Sequence, residues 1–177
     1  MADVVTDWLA SGQALPYEDE TARDALAGLL DRYEQSLFGF LIVLLGDRDG
    51  AKDCLQDTFL RAYEHLQRGR SVNAQWLYKV ARNRAIDEMR HKQRVRVDPH
   101  PMDEAILDES HASEGTLAVH RTLLQLSSDD REILYLAEVD GFTSLEIAAM
   151  LGIQAGAVRM RLSRAHVRFR KAYGERR

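Results

Sequence analysis

A single cysteine, Cys54, among 177 residues excludes an intramolecular disulfide and any zinc site built on cysteine ligands. It suits a reducing compartment, and its apolar helical neighbours suit a small core residue rather than a reactive thiol. Proline is scarce (3 residues), glycine is modest (11), and Leu, Ala, Glu and Arg are plentiful, so helices are expected and sheet is not. No apolar run nears the length of a membrane span. Leu41-Ile42-Val43-Leu44-Leu45 is far too short, and charge follows at once. The first residues lack the basic flank and apolar stretch of a secretory signal, so a soluble, cytoplasmic protein is expected, without membrane insertion. Catalytic signatures are missing too: there is no Walker loop, Gly-rich dinucleotide turn or nucleophile elbow. The 6 histidines, among them His91, His100, His111 and His120, show no metal-like spacing. Neither catalysis nor a metal or cofactor is expected.

Charge is present but unevenly spread. The net charge of −4 argues against nucleic acid until it is divided along the chain. Residues 68–96 hold 9 basic and 2 acidic residues, and 159–177 hold 8 and 1, while the segments around them are acidic. One basic island reads equally well as a solvated helix face. Two, each at the end of a helical unit, point to a polyanion.

Apolar residues Leu26, Leu29, Leu30, Tyr33, Leu37, Phe40, Leu41 and Leu44 recur at three- and four-residue steps, predicting a helix over 25–45. Gly46 to Gly50 reads as a turn, with further helices over 51–66 and 74–94 and a basic loop, Arg68 to Asn73, between them. Residues 97–115, with two prolines, dense carboxylates and little periodicity, read as an extended linker. Helices over 116–126 and 129–140 follow, the second with a possible Asp129/Glu132 capping box.

The final unit is the most informative. Thr143 and Glu146 form a capping-box pair, Gly152 stops that helix, and a longer basic helix runs from about Ala155 to Tyr173. Helix, short turn and longer basic helix is the helix-turn-helix pattern. Val158, Leu162, Ala165, Phe169 and Ala172 form an inward seam, while Arg161, Arg164, Arg168 and Lys171 form a cationic stripe for phosphates. Arg159, Met160 and Ser163, near the N-terminal end, are the candidate base-facing positions in a major groove.

Both halves resemble one family, the sigma-70 factors of the extracytoplasmic-function (ECF) group. Asp53-Cys54-Leu55-Gln56-Asp57-Thr58-Phe59-Leu60-Arg61-Ala62-Tyr63 is similar to the polymerase-binding helix of sigma domain 2, and Trp76 to Arg90 to the helix that reads the −10 element. Leu126 to Arg170 resembles sigma domain 4, through Asp130-Arg131-Glu132, Glu146-Ile147-Ala148 and Val158 to Ala165. The resemblance implies an all-α fold: an acidic segment 1–24, domain 2 over 25–96, a flexible acidic linker over 97–115, and helix-turn-helix domain 4 over 116–177. It implies core RNA polymerase (clamp and flap regions) and promoter DNA as partners, a possible anti-sigma factor, and a role in promoter recognition and melting.

By the same resemblance Gln56, Asp57, Phe59 and Arg61 would meet polymerase, although Phe59 suits the core better. Asn83 and Asp87, four apart on one helix face, would meet bases of the −10 element, since Asn pairs with base edges and Asp accepts from exocyclic amines. The loop with Arg68, Arg70 and Asn73 would hold an unstacked base, with Lys79, Arg82, Arg84 and Arg90 on the basic surface and Arg82, Arg84 and Arg90 on phosphates. Trp76 and Tyr78 could stack bases, and Trp76 equally suits the core. The −35 element would fall to Arg159, Met160, Arg161, Ser163, Arg164 and Arg168. Gln154 stands where a Ser-type cap is usual, and Ala157 and Met160 replace polar types, so −35 specificity does not transfer from relatives. A plain helix-turn-helix regulator with a sensor half is the main rival. It leaves the first basic island and the Asn83/Asp87 helix unexplained. A pure protein-interaction module accounts for neither basic island.

Overall fold

A computed structural model of the chain describes residues 20–95 and 114–174, and among these residues the regular structure is entirely helical. Most of the acidic N-terminal segment and of the expected linker lies outside the described residues. The first helix, α1, spans Glu20–Leu45, beginning five residues before the expected start. Its N-terminal half buries one stripe, Ala22, Leu26 and Leu30. Its C-terminal end buries the unbroken run Phe40 to Leu44. A helix buried all round must be packed on several sides, and here it touches α2, α3 and the C-terminal half of the chain.

Gly46, at φ 66°, ends α1, and Asp47 starts α2 (Arg48–Gln67) by accepting a bond from the Asp49 amide at 3.1 Å. The expected five-residue turn is thus much shorter, because Asp47 caps a helix that runs through Asp49 and Gly50. Helix α2 buries Ala51, Cys54, Leu55, Thr58, Phe59, Ala62 and Tyr63. The Thr58 hydroxyl is satisfied by the Cys54 carbonyl at 2.7 Å. Helix α3 (Ala74–Val95) packs Leu77, Tyr78, Ala81 and Ala85 inward. Its first turn is capped by Asn73, whose side chain accepts from the Trp76 amide at 2.9 Å.

In the second half, α4 covers Glu114–Leu124 and α5 covers Ser128–Leu134. The cap of α5 is Ser127, bonded to the Asp130 amide at 3.3 Å, and not the expected Asp129/Glu132 box. Glu132 is instead turned inward and buried. The helix widens into a π turn, Tyr135–Val139, which delivers Tyr135 and Leu136 to the interior. Helix α6 (Ser144–Leu151) carries the expected capping box: Thr143 N–H donates to Glu146 at 2.8 Å and Glu146 N–H to Thr143 Oγ1 at 3.3 Å. Gly152, at φ 67°, closes it in the left-handed conformation that a side chain would strain. Helix α7 (Ala155–Gly174) follows directly, with Val158 and Ala165 fully buried and Leu162, Phe169 and Ala172 partly so. The predicted seam is therefore the packed face of α7.

The two halves share one core. Phe40 lies 5.4 Å from Tyr78 and 6.0 Å from Tyr135, ring centre to ring centre, and Tyr78 meets Phe142 edge-on at 4.9 Å.

Candidate nucleic-acid and polymerase surfaces

On α3 the inward face is fixed by Leu77, Tyr78, Ala81 and Ala85, so Lys79, Asn83, Asp87 and Arg90 must point outward. All four are exposed. Asn83 and Asp87 stand one turn apart, as their spacing predicts. Arg90 sits 3.8 Å from Asp87, with both side chains 66% exposed, a loose pair that a ligand displaces at little cost. Beside them a shallow cleft of about 510 Å³ is lined by Arg84, Asp87, Glu88, Arg90, His91 and Arg94. Its mixture of guanidinium and carboxylate groups suits a polar, anionic ligand rather than an apolar one.

Several expected contacts are already engaged within the chain. Arg84 donates to Asp57 of α2 at 2.5 Å, and this pairing raises its pKa further above the usual arginine range. Arg82 donates to Glu132 at 2.5 Å, across the junction of the two halves. Burial raises the Glu132 carboxyl, and the Arg82 charge opposes that rise. Phe59 and Tyr78 are each 2% exposed, so in this arrangement both are core and neither reaches a polymerase surface or a base. Asn73 spends its side-chain oxygen capping α3. Trp76 is half-buried against His65, with ring centres 4.7 Å apart, closing the base of the Arg68–Asn73 loop. In that loop Arg68 and Arg70 remain exposed, Arg68 within 3.8 Å of Glu64. On α2, Gln56 is half-buried and Arg61 exposed.

On α7, Arg159, Met160, Arg161, Ser163 and Arg164 are all exposed, Met160 by 58%. Arg168 is already engaged within the chain. Its Nη1 donates to both oxygens of Asp130, at 2.7 and 2.8 Å, and the Asp130 side chain is only 10% exposed. The pair fastens α7 to α5. An open groove of about 500 Å³ runs along Arg159, Leu162, Ser163, His166 and Arg170. Arg170 was missed. The signal was available, because 159, 163, 166 and 170 step by four, three and four, a second stripe beside the one that the arginine pattern favoured.

Among the described residues no group of histidine, cysteine and carboxylates could hold a metal ion, and no helix is long and apolar enough to cross a membrane.

Two family descriptions match, one to each half: Sigma-70 region 2 over residues 29–95 and Sigma-70, region 4 over residues 116–168. RNA polymerase sigma factor CarQ of Myxococcus xanthus is 33% identical over 162 residues, covering 87% of this chain and 92% of that protein. ECF RNA polymerase sigma factor SigL of Mycobacterium tuberculosis is 32% identical, covering 77% and 82%. The chain belongs to the extracytoplasmic-function sigma factors. Among solved structures, the sigma factor RpoE of Bartonella quintana, in complex with the anti-sigma factor NepR, superposes with a TM-score of 0.74 at 27% identity. That match covers 90% of this chain and all of RpoE. CnrH in complex with the cytosolic domain of CnrY shares the fold, with a TM-score of 0.58 at 24% identity over 84% of the chain. In this sigma factor α1–α3 are therefore the region 2 helices and α4–α7 the region 4 helices, with α6 and α7 as the helix-turn-helix.

Proposed function

We propose that this sigma factor joins core RNA polymerase in the cytoplasm, reads the −10 element with α3 and the −35 element with α7, and opens the promoter between them. Domain 2 would extend over 25–96 and domain 4 over 116–177. The observation that carries the reading is the outward pair Asn83 and Asp87, exposed side by side on a helix anchored by Leu77, Ala81 and Ala85. Neither apolar packing nor a strong ion pair explains both.

The engaged arginines redistribute the roles. Backbone phosphates would fall to Lys79, Arg90 and Arg94 around α3, and to Arg159, Arg161, Arg164 and Arg170 on α7, all exposed. Arg84 would act by fixing α3 against α2, which in turn presents Gln56 and Arg61 to polymerase. Anti-sigma control is supported by two structural neighbours, RpoE and CnrH, whose structures contain NepR and CnrY respectively. The test is permanganate footprinting of promoter complexes formed with core polymerase. Wild-type chain should expose unpaired thymines around −10, and Asn83→Ala should weaken that signal while leaving polymerase association intact. Undiminished melting with Asn83→Ala would remove the pair from the −10 assignment.

A further inference from the structure

The face that α7 turns outward carries an apolar side chain in the middle of a cationic surface. Val158 and Leu162 each stand two residues from Met160, about 200° round the helix, and both belong to the packed seam. Met160 is therefore held on the far side, where it is 58% exposed. Arg159, Arg161 and Arg164 around it are exposed too. The turn ahead of it, Ala155-Gly156-Ala157, holds no side-chain donor or acceptor. A Cβ at Gly156 would meet nothing nearer than Arg159 Nη2 at 4.0 Å, so the helix backbone is open to close approach there. A helical side chain leans over the turn N-terminal to it. Met160 thus extends toward this bare turn, at the end of a recognition helix that enters the major groove.

Major-groove edges present donors and acceptors at every base pair, and the one apolar group among them is the 5-methyl of thymine. A thioether is at most a weak acceptor. Against guanine, adenine or cytosine it covers polar atoms without satisfying them, which is unfavourable. Against thymine it buries methyl surface on both partners. Attraction to one base and a penalty against the others act together as discrimination. Building on the sigma reading above, we propose that Met160 is a specificity-determining residue of α7 and that it reads a thymine of the −35 element through its 5-methyl group.

The flanking arginines complement this role. Contacts to phosphate fix the register and orientation of the helix without reading sequence, which leaves the discrimination to the side chain between them. Val167 continues the same face seven residues on and is 57% exposed. It lies about 10 Å further along the helix, away from the end that reads bases.

The test uses core polymerase carrying the full chain and a labelled duplex promoter fragment, drawn from a random library by the start sites that the complex produces. Each thymine of the −35 element, on either strand, is replaced in turn by uracil, which removes the methyl and keeps every hydrogen-bonding group. One of these replacements should weaken binding about fourfold, the scale of one buried methyl-sized group. Met160→Ala should weaken binding to the thymine fragment by a similar factor and make the thymine and uracil fragments equivalent. Met160→Leu, which keeps an apolar side chain, should retain most of the preference. The salt slope of binding should stay at the wild-type value in both variants, because no phosphate contact is lost. Position 160 is exposed, and alanine and leucine both favour helix, so thermal unfolding should show both variants folded. A −35 element without thymine, or uracil tolerated at every position, overturns the assignment and leaves the sigma reading standing. A uracil penalty that survives in Met160→Ala overturns it as well. So does a Met160→Ala variant that loses polymerase association instead, which makes position 160 a protein contact. If no library fragment is bound or transcribed in a chain-dependent manner, the sigma reading fails and the thymine assignment falls with it.

Discussion

Arg164 and Arg168 lie one turn apart on α7, and replacing each by alanine should have opposite consequences. Arg164 is exposed and would face phosphate. Arg168 holds Asp130 at 2.7 and 2.8 Å. Each phosphate contact contributes about 0.9 to the slope of log affinity against log salt. Losing the Arg164 contact should therefore flatten that slope by about 0.9. Between 50 and 200 mM salt, this is a difference of about 3.5-fold in salt sensitivity. Melting temperature should not move. Arg168→Ala leaves the nearly buried Asp130 carboxylate without its cation, a loss discounted because the Arg168 side chain is 56% exposed. About 1 kcal/mol is expected, or about 2–4 °C in melting temperature for a chain of this size, with the salt slope unchanged. The assay is anisotropy of a labelled promoter fragment bound by polymerase carrying each variant across a salt series, paired with thermal unfolding of the free chain. In a double-mutant cycle, Asp130→Asn should make Arg168→Ala nearly neutral. If Arg168→Ala instead flattens the slope and leaves the melting temperature alone, the pair does not anchor the helix and the account of α7 is wrong.

Two further outcomes follow from the second half of the chain. Burial pushes the Asp140 carboxyl up to about 7 from its ordinary 3.8, with the nearby Tyr78 hydroxyl partly opposing the rise. Because the folded pKa is the higher one, the stability this group contributes is complete below about pH 4 and is lost as pH rises through about 7. Asp140→Asn should remove that pH dependence and raise the melting temperature at pH 8, as read from unfolding scans at pH 5 and 8. Thr143→Ala removes the side-chain half of the α6 capping box and should cost about 0.5–2 kcal/mol in denaturant unfolding. Thr143→Ser should cost much less.

The legible parts of the fold were those written in local spacing. The α7 seam, the Thr143/Glu146 box and the Gly152 stop all depend on residues within a turn or two of each other. So does the outward pairing of Asn83 and Asp87. What spacing could not show was which charges are already taken. Arg82, Arg84 and Arg168 look like the other arginines of their islands, yet their partners Glu132, Asp57 and Asp130 lie 50, 27 and 38 residues away. Tyr78 looked like a stacking aromatic because α3 read alone has room for it. Phe40, on another helix, and Phe142, beyond the expected linker, close over its ring.

The most direct test is promoter-dependent transcription by purified core polymerase with and without the chain, on a library of promoter fragments. Defined start sites that need the chain, suppressed by Asn83→Ala and by Arg161→Ala, are the predicted result. A chain that binds duplex DNA alone and never associates with core polymerase would contradict the account and leave a plain helix-turn-helix regulator in its place.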